Sequence, residues 1–322
     1  MEACIYREFG KEGVLEWVDN WPEPDCDPNS VIIKVAGSSI NPKDALLRKG
    51  EFSKTLARES LPRLTGVDVS GTIVKVGYSV THFKVGDFVY GMSNHFSGGV
   101  LSTFTELYET EIAKAPASIP LVEASAIPLA GQTALQAIRD IAHVGIGEKI
   151  LITGASGGVG HFAVQLSKLF GAEVHALCSN NSVEFVSSIG ASYVHDYTKM
   201  DPSTIQHQYD VIFDAAGRFK RNTFLKQLRK KSIFITTVPT RQSLISEFLA
   251  RLKISDKSRL VIVKSSFKDL TYLTDLVDSG DLSPHIYKIY EKAKIVEAHT
   301  QIQSGHSRGK IVLSMLPNRN DK

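Results

Sequence analysis

The stretch at residues 150–174, ILITGASGGVGHFAVQLSKLFGAEV, decides how the rest of the chain is read. It opens on the apolar run Ile150-Leu151-Ile152, the mark of a strand covered on both faces. It closes on HFAVQLSKLF, whose apolar residues recur at helical spacing. Between the two, Gly154, Gly157, Gly158 and Gly160 place four glycines in seven positions, with Ser156 and Val159 among them. Without side chains there, backbone N–H groups can close on a phosphate, and the helix that follows turns its positive dipole end to the same anion. A ligand-free strand-to-helix turn would not explain so many glycines. Gly154, Ser156, Gly157, Gly158, Val159 and Gly160 are therefore expected to hold the pyrophosphate of a dinucleotide.

The pattern continues downstream as EVHALCS (strand), VEFVSSIG (helix), YDVIFDAAG (strand), FLKQLRKK (helix) and SIFITTV (strand). After residue 259 follow LVIVKS (strand) and KDLTYLTDLVDSG (helix). Alternation of this kind predicts an α/β fold, a Rossmann-type doubly wound parallel sheet. Upstream the texture differs: VIIKVAGSSI, GVDVSGTIVKVG and FKVGDFVYGM are short β-rich runs punctuated by turn residues. A chain of 322 residues exceeds one ordinary core. Two domains are expected: a β-rich one from residues 1–121 and 284–322, with GKIVLSM rejoining it, and a dinucleotide-binding one from 122–283.

Composition narrows the partners. Thirty-seven basic against 34 acidic residues leave a net charge of +3, and no block of five like charges forms a phosphate-tracking stripe, so nucleic acid is not expected. No apolar run approaches the roughly 18 residues of a membrane span. The start MEACIYREFG mixes charges where a signal peptide would be apolar, and a cytoplasmic location is expected. Cys4, Cys26 and Cys178 lie too far apart in sequence for a disulfide framework or the paired cysteines of a zinc lobe, and read as small buried residues.

Cofactor choice turns on the end of the second strand, where NAD binders place an acidic residue against the ribose 2′-hydroxyl. Here it ends Cys178-Ser179-Asn180-Asn181-Ser182, with no carboxylate to repel a 2′-phosphate. NADPH is expected ahead of NADH.

Six landmarks in order carry a resemblance over essentially the whole chain. They are Asn41-Pro42-Lys43-Asp44 with Arg48 and Gly50, Gly66-Val67-Asp68-Val69-Ser70-Gly71, Val85-Gly86-Asp87, Pro128-Leu129-Ala130-Gly131-Gln132-Thr133-Ala134, the glycine turn, and His306-Ser307-Arg308-Gly309-Lys310. The sequence resembles the medium-chain dehydrogenase/reductase superfamily, in its zinc-independent, quinone oxidoreductase-like branch. The resemblance implies that the β-rich part is a GroES-like catalytic domain, and that the activity is hydride transfer from NADPH to a quinone, enone or enal. In zinc-dependent relatives the positions of Asn41, Val67 and the Leu129–Ala130 region look like metal ligands; the side chains here are not zinc donors, so no metal site is expected.

By the same resemblance, Asn41 and Lys43 are the catalytic candidates, Thr133 lies near the nicotinamide, and Arg308 and Lys310 return toward the cofactor. Asp44 reads as structural. Ser179 and Tyr197 match family positions for the 2′-phosphate, while the usual basic residue is replaced by Asn181 or Ser182. No general acid is identified. Residues 92–103 and 239–258, with Phe96, Leu244 and Phe248, are expected to shape the acceptor pocket. Relatives commonly pair sheet edges into homodimers, and SIFITTV is the candidate edge.

Two other readings compete. Tyr290 and Lys294, four residues apart, imitate the catalytic pair of short-chain dehydrogenases, although about 150 residues precede the glycine turn where such enzymes begin with it. A relative that binds NADPH without turnover, in a redox-sensing or structural role, is the other.

Overall fold

A computed structural model describes residues 1–52, 60–252, 254, 255 and 257–316. The chain divides into two compact units, one of residues 1–129, 264–280 and 286–322, the other of residues 130–263 and 281–285.

In the second unit, six described strands form one parallel sheet in the spatial order Tyr193–Asp196, Glu173–Cys178, Lys149–Thr153, Tyr209–Asp214, Leu228–Thr236, Ser258–Leu260. Numbered along the chain within the unit, this is 3-2-1-4-5-6, the dinucleotide-binding order, which reverses direction beside its first strand. The strands are apolar because both faces are covered: Ile150, Leu151, Ile152, Ile212 and Phe213 are fully buried. The helix Gly160–Leu169 turns Phe162, Ala163, Val164 and Leu166 inward, and each large apolar side chain so buried contributes about 1.5–3 kcal/mol.

In the first unit, a seven-stranded sheet runs Ile286–Glu291, Lys310–Ser314, Ser30–Ile40, Asp68–Val76, Phe88–Met92, Ile112–Lys114, with Phe104–Tyr108 also paired to Ser30–Ile40. GKIVLSM does rejoin this sheet, antiparallel to Ser30–Ile40. A smaller sheet joins Leu15–Val18, Ala3–Tyr6 and Arg63–Leu64.

Several elements differ from the reading of the sequence. FLKQLRKK is not a helix: a single 3-10 turn, Arg221–Phe224, leads into the strand Leu228–Thr236, because the segment pairs with Tyr209–Asp214. SIFITTV is not an edge, since Ser258–Leu260 pairs with Phe234, Ile235 and Thr236 on its outer side. The helix Phe267–Asp278 packs with the first unit rather than the second. Its buried face, Leu270, Leu273, Leu276 and Val277, meets the strands there, and Tyr90 donates its hydroxyl to the Leu270 carbonyl at 2.7 Å. Tyr290 lies in a strand, 7% exposed in an apolar cluster with Ile40, Ile311 and Leu313, and Lys294 is paired with Glu297 at 2.6 Å. Buried and engaged in this way, the two do not form a catalytic pair.

Candidate functional site

The glycine turn lies where the order of the parallel strands reverses, the position at which sheets of this kind bind ligands. Thr153 ends the first strand and donates its hydroxyl to Asp214 Oδ1 at 2.6 Å, tying it to the strand across the reversal. Asp214 also accepts from the Arg218 and Phe219 N–H groups, and burial holds its carboxyl above the ordinary aspartate range. Gly154 adopts φ +65°, and a Cβ there would meet Ala216 Cβ at 2.5 Å. A Cβ on Gly160 would come 2.1 Å from the Gly154 carbonyl oxygen, so the helix starts this close to the strand only without one. Gly157 is different, because its Cβ would meet nothing nearer than that oxygen at 3.3 Å.

The turn therefore has a packed floor and an open mouth. Ser156, Gly157, Gly158 and Val159 are all partly exposed, and no hydrogen bond from the Ser156 or Gly158 N–H to another described residue occurs. These groups, at the start of the ten-residue helix Gly160–Leu169, suit a pyrophosphate. His161 fixes the turn from behind, with Nδ1 2.9 Å from the Gly157 carbonyl and Nε2 accepting from the His285 N–H at 3.1 Å. Thr133 is buried in the helix Pro128–Leu135.

At the end of the second strand, Ser179 leads into the 3-10 turn Asn180–Ser182, and the Tyr197 N–H donates to the Cys178 carbonyl at 3.1 Å. Ser179, Asn181 and Tyr197 are thus brought into one neighbourhood. The structure adds a residue the sequence reading missed: Lys199 Nζ donates to Asn180 Oδ1 at 2.6 Å and stands 3.6 Å from Asp196 Oδ2. A basic residue is therefore present at this strand end, contributed from the next segment. Its signal was the YTK run after Asp196, whose nearness to Asn180 depends on the parallel pairing of Cys178 with Asp196.

In the first unit, Asn41 caps the helix Pro42–Arg48: its N–H donates to Asp44 Oδ2 at 2.8 Å. Its side chain is engaged at both ends. Nδ2 donates to Asp68 Oδ2 at 2.9 Å and to the Ser39 carbonyl at 3.2 Å, while Oδ1 accepts from Lys310 Nζ. Asp68 also accepts from the Ser39 hydroxyl, from the Leu129 N–H at 2.7 Å and from Lys310 Nζ at 3.5 Å. Lys310, expected to reach the cofactor, is 3% exposed within this network, whereas Arg308 two residues earlier is exposed. Burial lowers the Lys310 pKa, against the pull of Asp68 and Asp44.

Lys43 stands apart from Asn41. Its ammonium lies 4.9 Å from the centre of the Phe96 ring, and Phe52 meets Phe96 edge-on at 5.3 Å. Burial lowers the Lys43 pKa too, against Asp44 and Asp68. Phe96 thus joins a cationic, aromatic corner. Leu244 and Phe248, from the other segment expected to shape a pocket, are 49% and 61% exposed on the helix Arg241–Arg251; residues 253 and 256 of that segment lie outside the described residues.

A divalent metal at Asn41 does not fit. The amide oxygen it would use already accepts from a buried ammonium, and Val67, fully buried, offers no donor atom.

Two family models match the chain, the alcohol dehydrogenase GroES-like domain over residues 27–117 and the zinc-binding dehydrogenase model over residues 189–313. The chloroplast envelope quinone oxidoreductase homolog of Arabidopsis thaliana is 33% identical over 324 residues, spanning 97% of this chain and 98% of its own. The 2-methylene-furan-3-one reductase of Solanum lycopersicum is 30% identical over 327 residues, spanning 98% of this chain and 80% of its own. The solved structure of a quinone oxidoreductase from Coxiella burnetii is similar with a TM-score of 0.88 at 28% identity, over 98% of this chain and 99% of that one.

Proposed function

The chain belongs to the medium-chain dehydrogenase/reductase superfamily, in its quinone oxidoreductase-like branch, and on that premise we propose the reaction it performs. It is an NAD(P)H-dependent oxidoreductase that reduces a quinone or an α,β-unsaturated carbonyl, as the names of its relatives indicate. The observation that carries the reading is the glycine turn, with its packed floor and open mouth, at the reversal of a 3-2-1-4-5-6 sheet.

In this reading, Gly154, Ser156, Gly157, Gly158, Val159 and Gly160 hold the pyrophosphate and Thr133 supports the nicotinamide end. Bound there, NADPH supplies the hydride. Lys43 donates to the acceptor oxygen as negative charge develops on it, and Phe96, braced edge-on by Phe52, offers an aromatic surface to a conjugated ring. Asn41, held at both ends, keeps the capped start of the helix that carries Lys43 in place. Zinc has no part, in agreement with the ammonium beside Asn41.

Oxidation of NADPH and NADH, followed at 340 nm against quinones, enals and enones, tests the activity. Turnover of at least one acceptor class with NADPH, and less with NADH, is expected. Tight cofactor binding with no turnover across the panel would instead favour the non-catalytic reading.

Preference for NADPH rests on Ser179, Asn181, Tyr197 and Lys199. One charge-assisted hydrogen bond contributes about 1.5–3 kcal/mol, so Lys199→Met should weaken NADPH binding about tenfold or more and leave NADH unchanged. Fluorescence titration at low salt measures both; equal losses for the two cofactors would remove Lys199 from the site.

A homodimer is part of the same proposal. It is supported by the short edge strand Ser258–Leu260 and by the exposed Leu244, Ile245, Phe248 and Leu252 near it. Among the described residues no helix is long and apolar enough to cross a membrane. The unpaired Cys4, Cys26 and Cys178 agree with the reducing cytoplasm we propose.

A further inference from the structure

One face of the parallel sheet gathers imidazoles that the proposed reaction does not use. His175 lies in the strand Glu173–Cys178 and is fully buried. Tyr193, its register partner in the edge strand Tyr193–Asp196, stacks on its ring at 4.5 Å, and His195, two residues further along, returns to the same face. Tyr209, buried at the start of Tyr209–Asp214, brings its hydroxyl to both imidazoles. His175 Nδ1 stands 3.2 Å from His195 Nε2 and 3.1 Å from Tyr209 Oη, and Tyr209 Oη stands 3.5 Å from His195 Nε2. Three donor atoms from three strands thus form a nearly equilateral triangle.

Its edges are the size a metal requires. Ligands bound about 2.0–2.1 Å from a tetrahedral zinc stand about 3.3 Å from one another. The outer contacts suit the same purpose. Glu173 Oε1 lies 2.9 Å from His175 Nε2, which favours the proton on that nitrogen and leaves the Nδ1 lone pair for the triangle. Lys149 Nζ, 2.8 Å from the same oxygen, holds the carboxylate in place. His207, exposed, packs its ring against His175 at 4.6 Å between centres and lines a cleft of about 690 Å³ that gives an ion its way in. Among the described residues no group of three histidine, cysteine, aspartate or glutamate side chains is placed to hold a metal by itself; here a phenol is the third corner.

We propose that His175, His195 and Tyr209, completed by His207, bind one divalent ion of the zinc, nickel and copper class, which imidazole ligands suit. The exposed His207 side chain reaches the fourth position by rotation. Binding releases the phenol proton to solvent. The ion ties the edge strand to two interior strands and takes no part in hydride transfer. Glu173 acts through His175 and is a positioning residue.

The test is calorimetric titration of Zn²⁺ into tag-free protein first stripped with a chelator. The wild-type chain should take up one ion, its melting temperature should rise with added Zn²⁺, and Co²⁺ in the same place should give the visible absorption of a four-coordinate site. Glu173→Ala should weaken Zn²⁺ binding about ten- to a hundredfold, and Glu173→Gln, which keeps an acceptor for the His175 Nε2–H, should weaken it less. His195→Gln removes a ligand and should cost at least about a hundredfold, together with the cobalt spectrum and the thermal shift. His207→Ala, at an exposed position, serves if His195→Gln does not fold, and should lose about tenfold or more. Absence of Zn²⁺ uptake by the wild-type chain, or uptake unaffected in every folded histidine variant, overturns the proposal and leaves a hydrogen-bonded cluster alone.

Discussion

Gly157→Asp is expected to give a folded protein that has lost NADPH. Gly154, Gly157 and Gly160 do different work in the turn. Gly154 has a left-handed backbone against Ala216, and Gly160 lies so close to the Gly154 carbonyl that a Cβ would sit 2.1 Å from it; substitution at either damages the fold itself. At Gly157 the tightest contact of a Cβ is 3.3 Å, which a shift of a few tenths of an ångström in the loop relieves. An aspartate there places a carboxylate at the mouth, beside the N–H groups of Ser156 and Gly158 and the start of the helix Gly160–Leu169. That carboxylate competes for the same donors and repels the pyrophosphate. The expected loss in NADPH affinity is at least about a hundredfold, or roughly 2.7 kcal/mol, with turnover falling in step. Calorimetric titration measures the affinity, and a thermal melt within a few degrees of wild type certifies the fold. Near wild-type binding by the variant would show that the pyrophosphate rests elsewhere.

The contrast among these glycines marks what could be read before the structure was known. Four glycines between an apolar strand and an amphipathic helix announced the turn, because strand, turn and helix are adjacent in sequence and each has its own periodicity. That Gly154 is a packing glycine depends on Ala216, far away in the sequence, and that Gly160 is packed while Gly157 stays open depends on how the turn folds back on the Gly154 carbonyl. Lys199 was hidden for a similar reason, since its approach to Asn180 follows from the parallel register of Cys178 with Asp196. The helix Phe267–Asp278 was recognisable from its apolar stripe, but a stripe does not say which sheet will cover it. FLKQLRKK shows the opposite failure: helical spacing of Phe224, Leu225 and Leu228 was overridden by a neighbouring strand. Asn41 and Lys43 were legible only by likeness to a family. The network that fixes Asn41 joins residues 39, 41, 68, 129 and 310, and no local pattern links positions so far apart.

That network carries the second large effect. Asp68→Leu should destabilise the first unit by about 3–5 kcal/mol, the cost of removing one partner from a buried ion pair. The substitution leaves Lys310, 3% exposed, with only the neutral Asn41 oxygen among the acceptors it now uses. It also strips the Leu129 N–H and the Ser39 hydroxyl of their acceptor. Stability should recover in part when Lys310→Met is added, because the stranded charge is then gone; a coupling energy of at least about 1 kcal/mol is expected from the cycle of single and double variants. The pH dependence has a definite sign. In Asp68→Leu the native state holds Lys310 at a pKa depressed below its unfolded value, so the native protein binds fewer protons than the unfolded chain across the window between the two. Its stability therefore rises with pH through that window, and the deficit relative to wild type narrows as pH climbs toward 10. Urea unfolding at pH 7 and pH 9.5 measures both quantities. Additive effects of Asp68→Leu and Lys310→Met, with no change in the deficit between the two pH values, would mean that the ammonium is solvated in the native protein and that Asn41 is held by its neutral partners alone.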